Sequence, residues 1–151
     1  NFNRVIQLEG GYTIQSSMFD NPVEYIKGIS GIKEFIRTPD NYGYSVLTYT
    51  KNNISSTLNY VYTGSMKVPH FAGALNQLVD EIVTTDSFSE LSLKFNYTIP
   101  TDIISLDLYT GIKNIFNQYQ SDFDIGKSRD SNFIYGPTQP RTTYFGVRLN
   151  F

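Results

Sequence analysis

The chain has 151 residues, with 12 tyrosines, 11 phenylalanines, no cysteine and a formal net charge of −2. This length fits one domain at most, and the lack of cysteine excludes a disulfide framework, a thiol nucleophile and a thiolate metal site. The charge gives no overall basic field, so no nucleic-acid partner is predicted. No segment approaches the ~18 apolar residues of a membrane-spanning helix. The first residues lack a signal-peptide pattern, so any export signal is expected outside this chain.

Apolar and polar residues alternate with a period of two, which predicts six strands with two unlike faces. The first strand covers Val5–Phe19 and carries an apolar row at its even positions. The second, Tyr42–Thr50, is rich in Tyr, Val and Thr, but both faces are mixed and its orientation stays open. The third strand, Ile54–Met66, follows a tight hairpin at Lys51-Asn52-Asn53.

The fourth strand is predicted over Phe88–Ile99 and ends at a second short turn, Pro100-Thr101-Asp102. The fifth strand, Ile104–Asp122, loses its apolar pattern near Asn114–Phe116, where we expect a bulge. The sixth, Arg141–Phe151, has apolar residues at its odd positions. Together these segments predict an all-β chain, built as an antiparallel up-and-down meander of about six strands.

The connections alternate between long and short. Three of them have about twenty residues each, namely Asp20–Asn41, Lys67–Ser87 and Phe123–Pro140. Compact soluble domains usually connect strands with about 4–6 residues. Alternate connections of a meander lie at the same end of the sheet, so all three long loops share one end. Long loops at one end and short turns at the other are typical of outer-membrane β-barrels.

The strands are long, and aromatic residues cluster near their ends. Most of the predicted strands reach the ~9–11 residues that cross a bilayer, whereas soluble strands usually stop near 5–6. The aromatic residues predicted to form an interfacial girdle are Tyr42, Tyr60, Tyr62, Tyr97, Tyr119, Tyr144, Phe145 and Phe151. The alternative is that these aromatic side chains form the core of a soluble sandwich.

Six strands are too few to close a membrane barrel, for which about 8 is the smallest known number. An open sheet would also leave unpaired backbone groups in hydrocarbon. We therefore expect the whole chain, residues 1–151, to be one segment of a larger barrel. The start of the chain, almost inside the first strand, favours that interpretation.

Two stretches near the end carry a family resemblance. The run Gly111-Ile112-Lys113-Asn114-Ile115-Phe116-Asn117, followed by Tyr119, resembles a signature of TonB-dependent outer-membrane receptors. The stretch from Tyr135-Gly136-Pro137 to Pro140-Arg141 and Val147 is similar to the closing segment of that family. Arg37-Thr38-Pro39 and the segment from Tyr62 to His70-Phe71 resemble the branch common in Bacteroidetes.

The resemblance implies that the chain is the C-terminal part of a 22-stranded barrel in the bacterial outer membrane. The implied partners are outer-membrane lipid, the rest of the barrel with its plug domain, and the TonB complex acting through that plug. Phe151 resembles the terminal signal read by the barrel-assembly machinery. The implied function is active uptake of a scarce nutrient such as a siderophore, haem or cobalamin. No haem-receptor motif and no glycan-importer ending is seen, which favours a siderophore, cobalamin or related chelate.

Polar residues in the long loops are candidates for substrate binding, and the candidates are His70, Asp124, Arg129, Asp130 and Tyr135. His70, the single histidine, either contacts a chelated metal or haem, or is an ordinary loop residue. The cluster that includes Asp122, Asp124, Arg129 and Asp130 either binds Ca²⁺ or substrate, or forms salt bridges and turn caps within its loop. We predict no resident metal and no cofactor.

Charged residues on the polar rows of strands are predicted to face the barrel lumen, where they line the permeation path or hold the plug. These residues are Lys94, Asp107, Lys113 and Arg148. A Lys or Arg on the lipid side near the midplane would cost about 2–4 kcal/mol. The apolar rows of the five clearly alternating strands contain neither residue type, as a membrane wall requires.

Two other function classes are considered beside the transport receptor. One is a soluble β-sheet module that binds glycan or protein through its aromatic-rich loops. The other is a hydrolytic outer-membrane enzyme. The single histidine has no Ser/Asp partner motif, and no phosphate-binding Gly loop follows a strand, so the sequence predicts no enzyme.

Overall fold

The computed structural model of the protein describes residues 4–101 and 103–150. Every regular element in these ranges is a strand. In chain order the strands are β1 (Arg4–Ile14), β2 (Met18–Val23), β3 (Ile32–Glu34), β4 (Asn41–Lys51), β5 (Ile54–Thr63), β6 (Lys67–His70), β7 (Glu81–Thr84), β8 (Phe88–Pro100), β9 (Ser105–Lys113) and β10 (Thr142–Asn150). Among the described residues, no helix is long and apolar enough to cross a membrane.

Six of the strands form one sheet in the order β1-β4-β5-β8-β9-β10, and every neighbouring pair is antiparallel. Within this sheet, each strand pairs with the sheet strand that follows it in the sequence, as in an up-and-down meander. The prediction of an all-β chain with an antiparallel six-stranded sheet is therefore confirmed. The sheet is open within the described residues, with β1 and β10 at its two edges.

The long connections also contain regular structure. β2 pairs with β3 in the first connection, and β6 pairs with β7 in the second. We call the three connections the first loop (residues 15–40), the second loop (residues 64–87) and the third loop (residues 114–141). The third loop has no strand among its described residues.

The register places most of the apolar residues of the six strands on one face. Leu8 lies opposite Leu47, Leu47 opposite Leu58, and Leu58 opposite Leu93. This apolar face comprises the even positions of β1, β5 and β9 and the odd positions of β4, β8 and β10. Its side chains are most exposed at the β1 edge, where Leu8 is 74% exposed, and less so on the inner strands, where Leu47 is 41% and Leu93 38% exposed. The register thereby settles the orientation of β4, which its own sequence leaves open.

The opposite, polar face carries the charged residues predicted to line a lumen. The aromatic residues predicted as a girdle divide between the two faces. Tyr60, Tyr62, Tyr97 and Phe145 lie on the apolar face, whereas Tyr42 and Tyr144 lie on the polar face. Tyr119 lies in the third loop, and Phe151 is outside the described residues.

Two predicted strands end earlier than expected. The first stops at Ile14, one pair before the backbone hydrogen bond from the Gln15 N–H to Asp40 O (2.8 Å), which is the last contact in register with β4. The chain then resumes as β2, which leaves the main sheet. The third strand ends at Thr63, where the Gly64 N–H donates to Asn41 O (2.8 Å) and a side chain at position 64 would collide with Asn41.

The largest error concerns the predicted strand Ile104–Asp122. β9 ends at Lys113, and the expected bulge is instead the end of the strand. Asn114 and Asn117 have φ angles of 48° and 53°, in the left-handed region, which interrupts an extended chain. Asparagine tolerates this conformation better than most residues do, so two asparagines three residues apart end the strand here.

The buried apolar residues are concentrated in the loops and not in the sheet. Val68, Phe133 and Tyr135 pack with Phe88, the first residue of β8, and this cluster is the hydrophobic core of the described structure. The other buried apolar side chains, Ile26 and Ala74, also belong to loops. The main sheet thus contributes one residue to the core and leaves its apolar face uncovered.

Tyrosine side chains lie across glycines on neighbouring strands. At one end of the sheet order, Tyr12 faces Gly43 and Tyr44 faces Gly11. At the other end, Tyr109 faces Gly146 and Tyr144 faces Gly111. A Cβ at Gly43 would lie 2.6 Å from the Tyr12 ring, and one at Gly111 would lie 2.6 Å from Tyr144 Cζ. The missing Cβ atoms let the rings lie flat against the sheet, a known compensation for glycine in strands.

Candidate functional site

The three long loops pack together at one end of the sheet, and Arg37 links the first loop to the other two. Its backbone N–H donates to the backbone oxygen of Lys67 (2.7 Å) in the second loop. Its guanidinium donates to the carbonyl oxygens of Asn132 and Ile134 in the third loop. Arg37 adopts a φ of 57° to make these contacts. We call this assembly of the three loops the loop layer.

His70 and Asp124 form a buried pair between the second and third loops. His70 Nε2 lies 2.7 Å from Asp124 Oδ1, and the two side chains are 7% and 3% exposed. The His70 ring stacks on Phe133 with centroids 3.5 Å apart and an interplanar angle of 5°. A flat stack and a short polar contact fix the imidazole in one orientation.

Asp124 is satisfied on both oxygens, because its Oδ2 accepts the Asp130 N–H (2.7 Å). Burial raises the pKa of Asp124, but the Asp130 N–H and the contact with His70 outweigh it and hold the pKa below its ordinary value. Asp130 in turn accepts the N–H groups of Phe71 (3.2 Å) and Asn132 (2.8 Å). The two aspartates therefore act as turn caps and loop-to-loop contacts.

Tyr135 lies next to this pair, with its ring 5.4 Å from that of Phe133. Its hydroxyl donates to Asp122 Oδ1 (2.6 Å), and its N–H donates to Gln120 Oε1 (3.1 Å). Burial, followed by the nearby Asp122 carboxylate, raises the pKa of Tyr135 well above its ordinary value. Tyr135 is therefore a neutral hydrogen-bond donor at every physiological pH.

Arg129 differs from the other predicted binding residues because it is exposed. It lies beside a cavity of about 280 Å³ in the third loop, whose wall includes Phe123 and Ile134. Among the residues that the structure describes, no carboxylate pairs with Arg129. In the described ranges, no group of three or more His, Asp or Glu side chains is arranged to hold a metal ion.

The five predicted loop residues thus fall into two sets. His70, Asp124 and Tyr135 are held inside the loop layer by hydrogen bonds and stacking, where they support its shape. Arg129 and Asp130 border the cavity, where Arg129 is exposed and both carboxylate oxygens of Asp130 already accept backbone N–H groups.

Asn114 and Gln120, both almost fully buried, organise the third loop and were not singled out by the sequence. Asn114 Nδ2 donates to the carbonyl oxygens of Gln118 (2.8 Å) and Gln139 (2.9 Å), and its Oδ1 accepts the Gln118 N–H (3.1 Å). Gln120 Nε2 donates to Phe133 O (3.1 Å). For Asn114 the available signals were the break in the apolar pattern and its place in the run that carries the family resemblance.

The four predicted lumen residues Lys94, Asp107, Lys113 and Arg148 share the polar face of β8, β9 and β10. Three of them, Lys94, Asp107 and Arg148, surround a polar cavity of about 240 Å³, together with Ser55, Thr57 and Asn96. The register places this cavity toward the end of the sheet where the short turns lie. The structure thus brings these residues together on one surface.

The depressed pKa of Asp124 predicts how the loop layer responds to acid. Because the folded pKa lies below the unfolded one, ionised Asp124 stabilises the loop layer above about pH 4 and loses this effect as the pH falls through the folded pKa. Asp124→Asn is therefore expected to loosen the loops at neutral pH, with the difference from wild type narrowing in acid. Hydrogen exchange of residues 64–87 and 114–141 between pH 7 and pH 2 measures this.

The matched control for that experiment is Asp20→Asn, an exposed carboxyl in β2 outside the cluster. It should follow the wild-type exchange profile at every pH. If Asp124→Asn differed from wild type by the same amount at pH 7 and at pH 2, the charge of Asp124 would have no role in loop stability.

The chain was also compared with known proteins. No protein-family model, no curated protein and no solved structure matches it.

Proposed function

We propose that the chain is a C-terminal wall segment of a TonB-dependent receptor barrel in the bacterial outer membrane, serving the uptake of a siderophore, cobalamin, haem or a related scarce nutrient. The observation that carries this proposal is the uncovered apolar face of the six-stranded sheet. Soluble monomers rarely expose a contiguous apolar patch of more than a few hundred Å². A lipid bilayer is a surrounding in which such a face is stable.

The distribution of charge supports a membrane wall. Between the strand ends, the apolar face carries no charged residue, and Lys51 lies at the short-turn end of β4, where its amine can reach lipid headgroups. The charged side chains Glu9, Glu90, Lys94, Asp107 and Lys113 lie on the other face with Arg148. One apolar and one polar face is the pattern of a barrel with lipid outside and an aqueous or plug-filled lumen inside.

The position of the core supports the same proposal. A soluble sheet would bury its apolar side chains against a second layer, yet here the hydrophobic core lies in the loop layer. A sheet without a core of its own is stable only if a second phase, here the lipid of the bilayer, covers its apolar face. The open edges at β1 and β10 are explained in the proposal by the remaining strands of the barrel, which would pair with them.

The two stretches behind the family resemblance also contact each other. Arg141 donates its N–H to Asn117 Oδ1 (2.9 Å) and its Nε–H to Ile115 O (3.0 Å). Asn114 Nδ2 also donates a hydrogen bond across the two stretches, to Gln139 O (2.9 Å). The resemblance therefore concerns residues that fold into one unit, in which the asparagines and the arginine fix the start and the end of the third loop.

Membrane extraction and uptake together test the proposal. The protein encoded by the gene should stay with the outer membrane through carbonate washing and dissolve in detergent. Deleting the gene should abolish growth on one iron chelate, haem or cobalamin as the limiting source, and the intact gene should restore it. A stable monomer in plain buffer would instead favour the soluble binding module and overturn the proposal.

A further inference from the structure

A groove of about 500 Å³ lies at the junction of the second and third loops. Its walls are formed by six exposed loop residues, Asp86, Ser87, Asn117, Gln118, Tyr119 and Ser121. Phe88, the first residue of β8, borders the same space. We call this feature the loop groove. Its volume lies in the range of about 300–1,000 Å³ that small-molecule sites occupy, and it shares no residue with the Arg129 cavity.

Backbone groups hold two amide side chains of the loop groove in place. The Ser89 N–H donates to Gln118 Oε1 (2.7 Å), and the Arg141 N–H donates to Asn117 Oδ1 (2.9 Å). Both bonds use the amide oxygen, so the two NH₂ groups keep their donors free in the described part of the chain. The Gln118 backbone is itself fixed by Asn114, which bonds its N–H (3.1 Å) and its carbonyl oxygen (2.8 Å). Two positioned donors are therefore available to a ligand.

The side-chain oxygen atoms at the loop groove are also without partners. Across residues 4–101 and 103–150, no hydrogen bond or ion pair engages the Asp86 carboxylate or the side-chain hydroxyls of Ser87, Tyr119 and Ser121. By contrast, Asp122 in the same loop layer accepts a tyrosine hydroxyl (2.6 Å). The groove thus combines amide donors, one carboxylate acceptor and hydroxyls that both donate and accept.

The Tyr119 ring presents a free aromatic face beside these polar groups. It is 51% exposed and stacks on no other ring within the described residues. The aromatic rings of the core are different, because Phe88 and Phe133 each pack against Tyr135. A tyrosine ring that is exposed next to donors and acceptors suits a ligand with an apolar face and a polar rim.

We infer that the loop groove binds a neutral saccharide. A sugar ring has a face of C–H groups, which packs on an aromatic ring, and a rim of hydroxyls, which donate and accept hydrogen bonds. Tyr119 matches the face, the Asp86 carboxylate accepts from the hydroxyls, and the two amides donate to them. The lining of the groove holds one carboxylate and no cation, so Asp86 repels acidic and phosphorylated sugars.

Other ligand classes fit the loop groove less well. A peptide is recognised through an open strand edge or an apolar anchor pocket. The six loop residues lie outside strands, and Tyr119 is the one aromatic or aliphatic side chain among them. An anionic chelate would meet Asp86 with no lining cation to offset it. The inference goes beyond the proposed function and does not rest on it, because these residues are exposed whether lipid or water covers the sheet.

The saccharide has two possible sources, a free oligosaccharide outside the cell and the glycan carried by lipids of the cell's own surface. In one arm of the test, an array of neutral, amino-sugar and uronic-acid oligosaccharides is probed with the labelled protein encoded by the gene, in a detergent without a sugar headgroup. In the other arm, calorimetry measures binding of the delipidated surface polysaccharide of the producing strain. Binding of neutral glycans on the array supports a free ligand, and binding of the polysaccharide alone supports the surface source.

Two aromatic residues of the third loop give a matched pair of variants. Tyr119→Ala should weaken binding by about tenfold or more, because the stacking face is lost. Phe116→Ala removes a ring that is equally exposed, at 51%, but does not line the groove, and it should bind like wild type. Tyr119→Phe keeps the aromatic face and should retain most of the binding. Asp86→Asn should weaken the binding of neutral glycans by about fivefold and admit uronic acids, because the repelling charge is gone.

Hydrogen exchange of residues 114–141 checks that each variant keeps the fold of the third loop. The inference is overturned if neither arm shows binding, if uronic-acid glycans alone bind, or if Tyr119→Ala and Phe116→Ala behave alike. If Tyr119→Ala disturbs the loop, Asp86→Asn decides the question, and an unchanged preference between neutral and acidic glycans then overturns the inference. These results are independent of the carbonate wash and the uptake test, so the saccharide site and the proposed function can fail separately.

Discussion

Leu47→Arg is expected to reduce the free energy of unfolding in a lipid bilayer by about 2–4 kcal/mol, whereas Thr48→Arg should change it by about 0.5 kcal/mol or less. Leu47 is in the middle of β4, between Leu8 and Leu58 on the apolar face, so in the proposed membrane wall an arginine there would meet the hydrocarbon midplane. Thr48 is its sequence neighbour on the polar face. Urea titration in lipid vesicles, followed by tyrosine fluorescence and gel mobility, measures both variants.

The pair is informative because the two substitutions are chemically alike and differ in the face they occupy. A soluble sheet that exposes both faces to water would solvate either arginine, and both variants would then remain within about 0.5 kcal/mol of wild type. Equal effects of the two arginines would therefore argue against a bilayer on the apolar side.

Asn114→Ala is expected to lower the stability of the third loop by about 3 kcal/mol. The substitution removes three hydrogen bonds to backbone groups of Gln118 and Gln139, and each such bond contributes about 0.5–1.5 kcal/mol. Alanine also tolerates the left-handed φ of 48° less well than asparagine does. Limited proteolysis of residues 114–141 and hydrogen exchange of the same segment measure the loss.

Two variants serve as controls. Asn114→Gly keeps the backbone freedom but lacks the amide, so it should recover only the small conformational part of the loss. Asn132→Ala, at an exposed position in the same loop, should stay close to wild type. A glycine variant as resistant to protease as wild type would mean that the Asn114 hydrogen bonds do not hold the loop.

The sequence predicts the main sheet well, because alternation is a local signal. The strands at Tyr42–Thr50 and Phe88–Ile99 are confirmed nearly to the residue. The orientation of β4 was beyond local reasoning, since its own faces are mixed. The orientation of β4 is set by its pairing with the neighbouring strands, which places Leu47 opposite Leu8 of β1 and Leu58 of β5.

The loop layer could be predicted only in part. His70 and Asp124 are 54 residues apart in sequence, and their pairing depends on Phe133, which stacks on the imidazole. No periodic pattern records a contact of that kind. The misjudged strand after Lys113 has a similar cause, because a left-handed asparagine ends the strand while apolar residues continue beyond it.

The tyrosine–glycine pairs explain how the sheet avoids pairing errors. A slip of one residue would exchange the two faces and is excluded by alternation alone, but a slip of two residues keeps every side chain on its proper face. Such a slip between β9 and β10 would place Tyr109 opposite Tyr144 or Arg148 instead of Gly146, so bulky side chains would meet. Four rings seated over four glycines, in the first and last strand pairs of the sheet, therefore act as position markers that the hydrophobic pattern cannot provide.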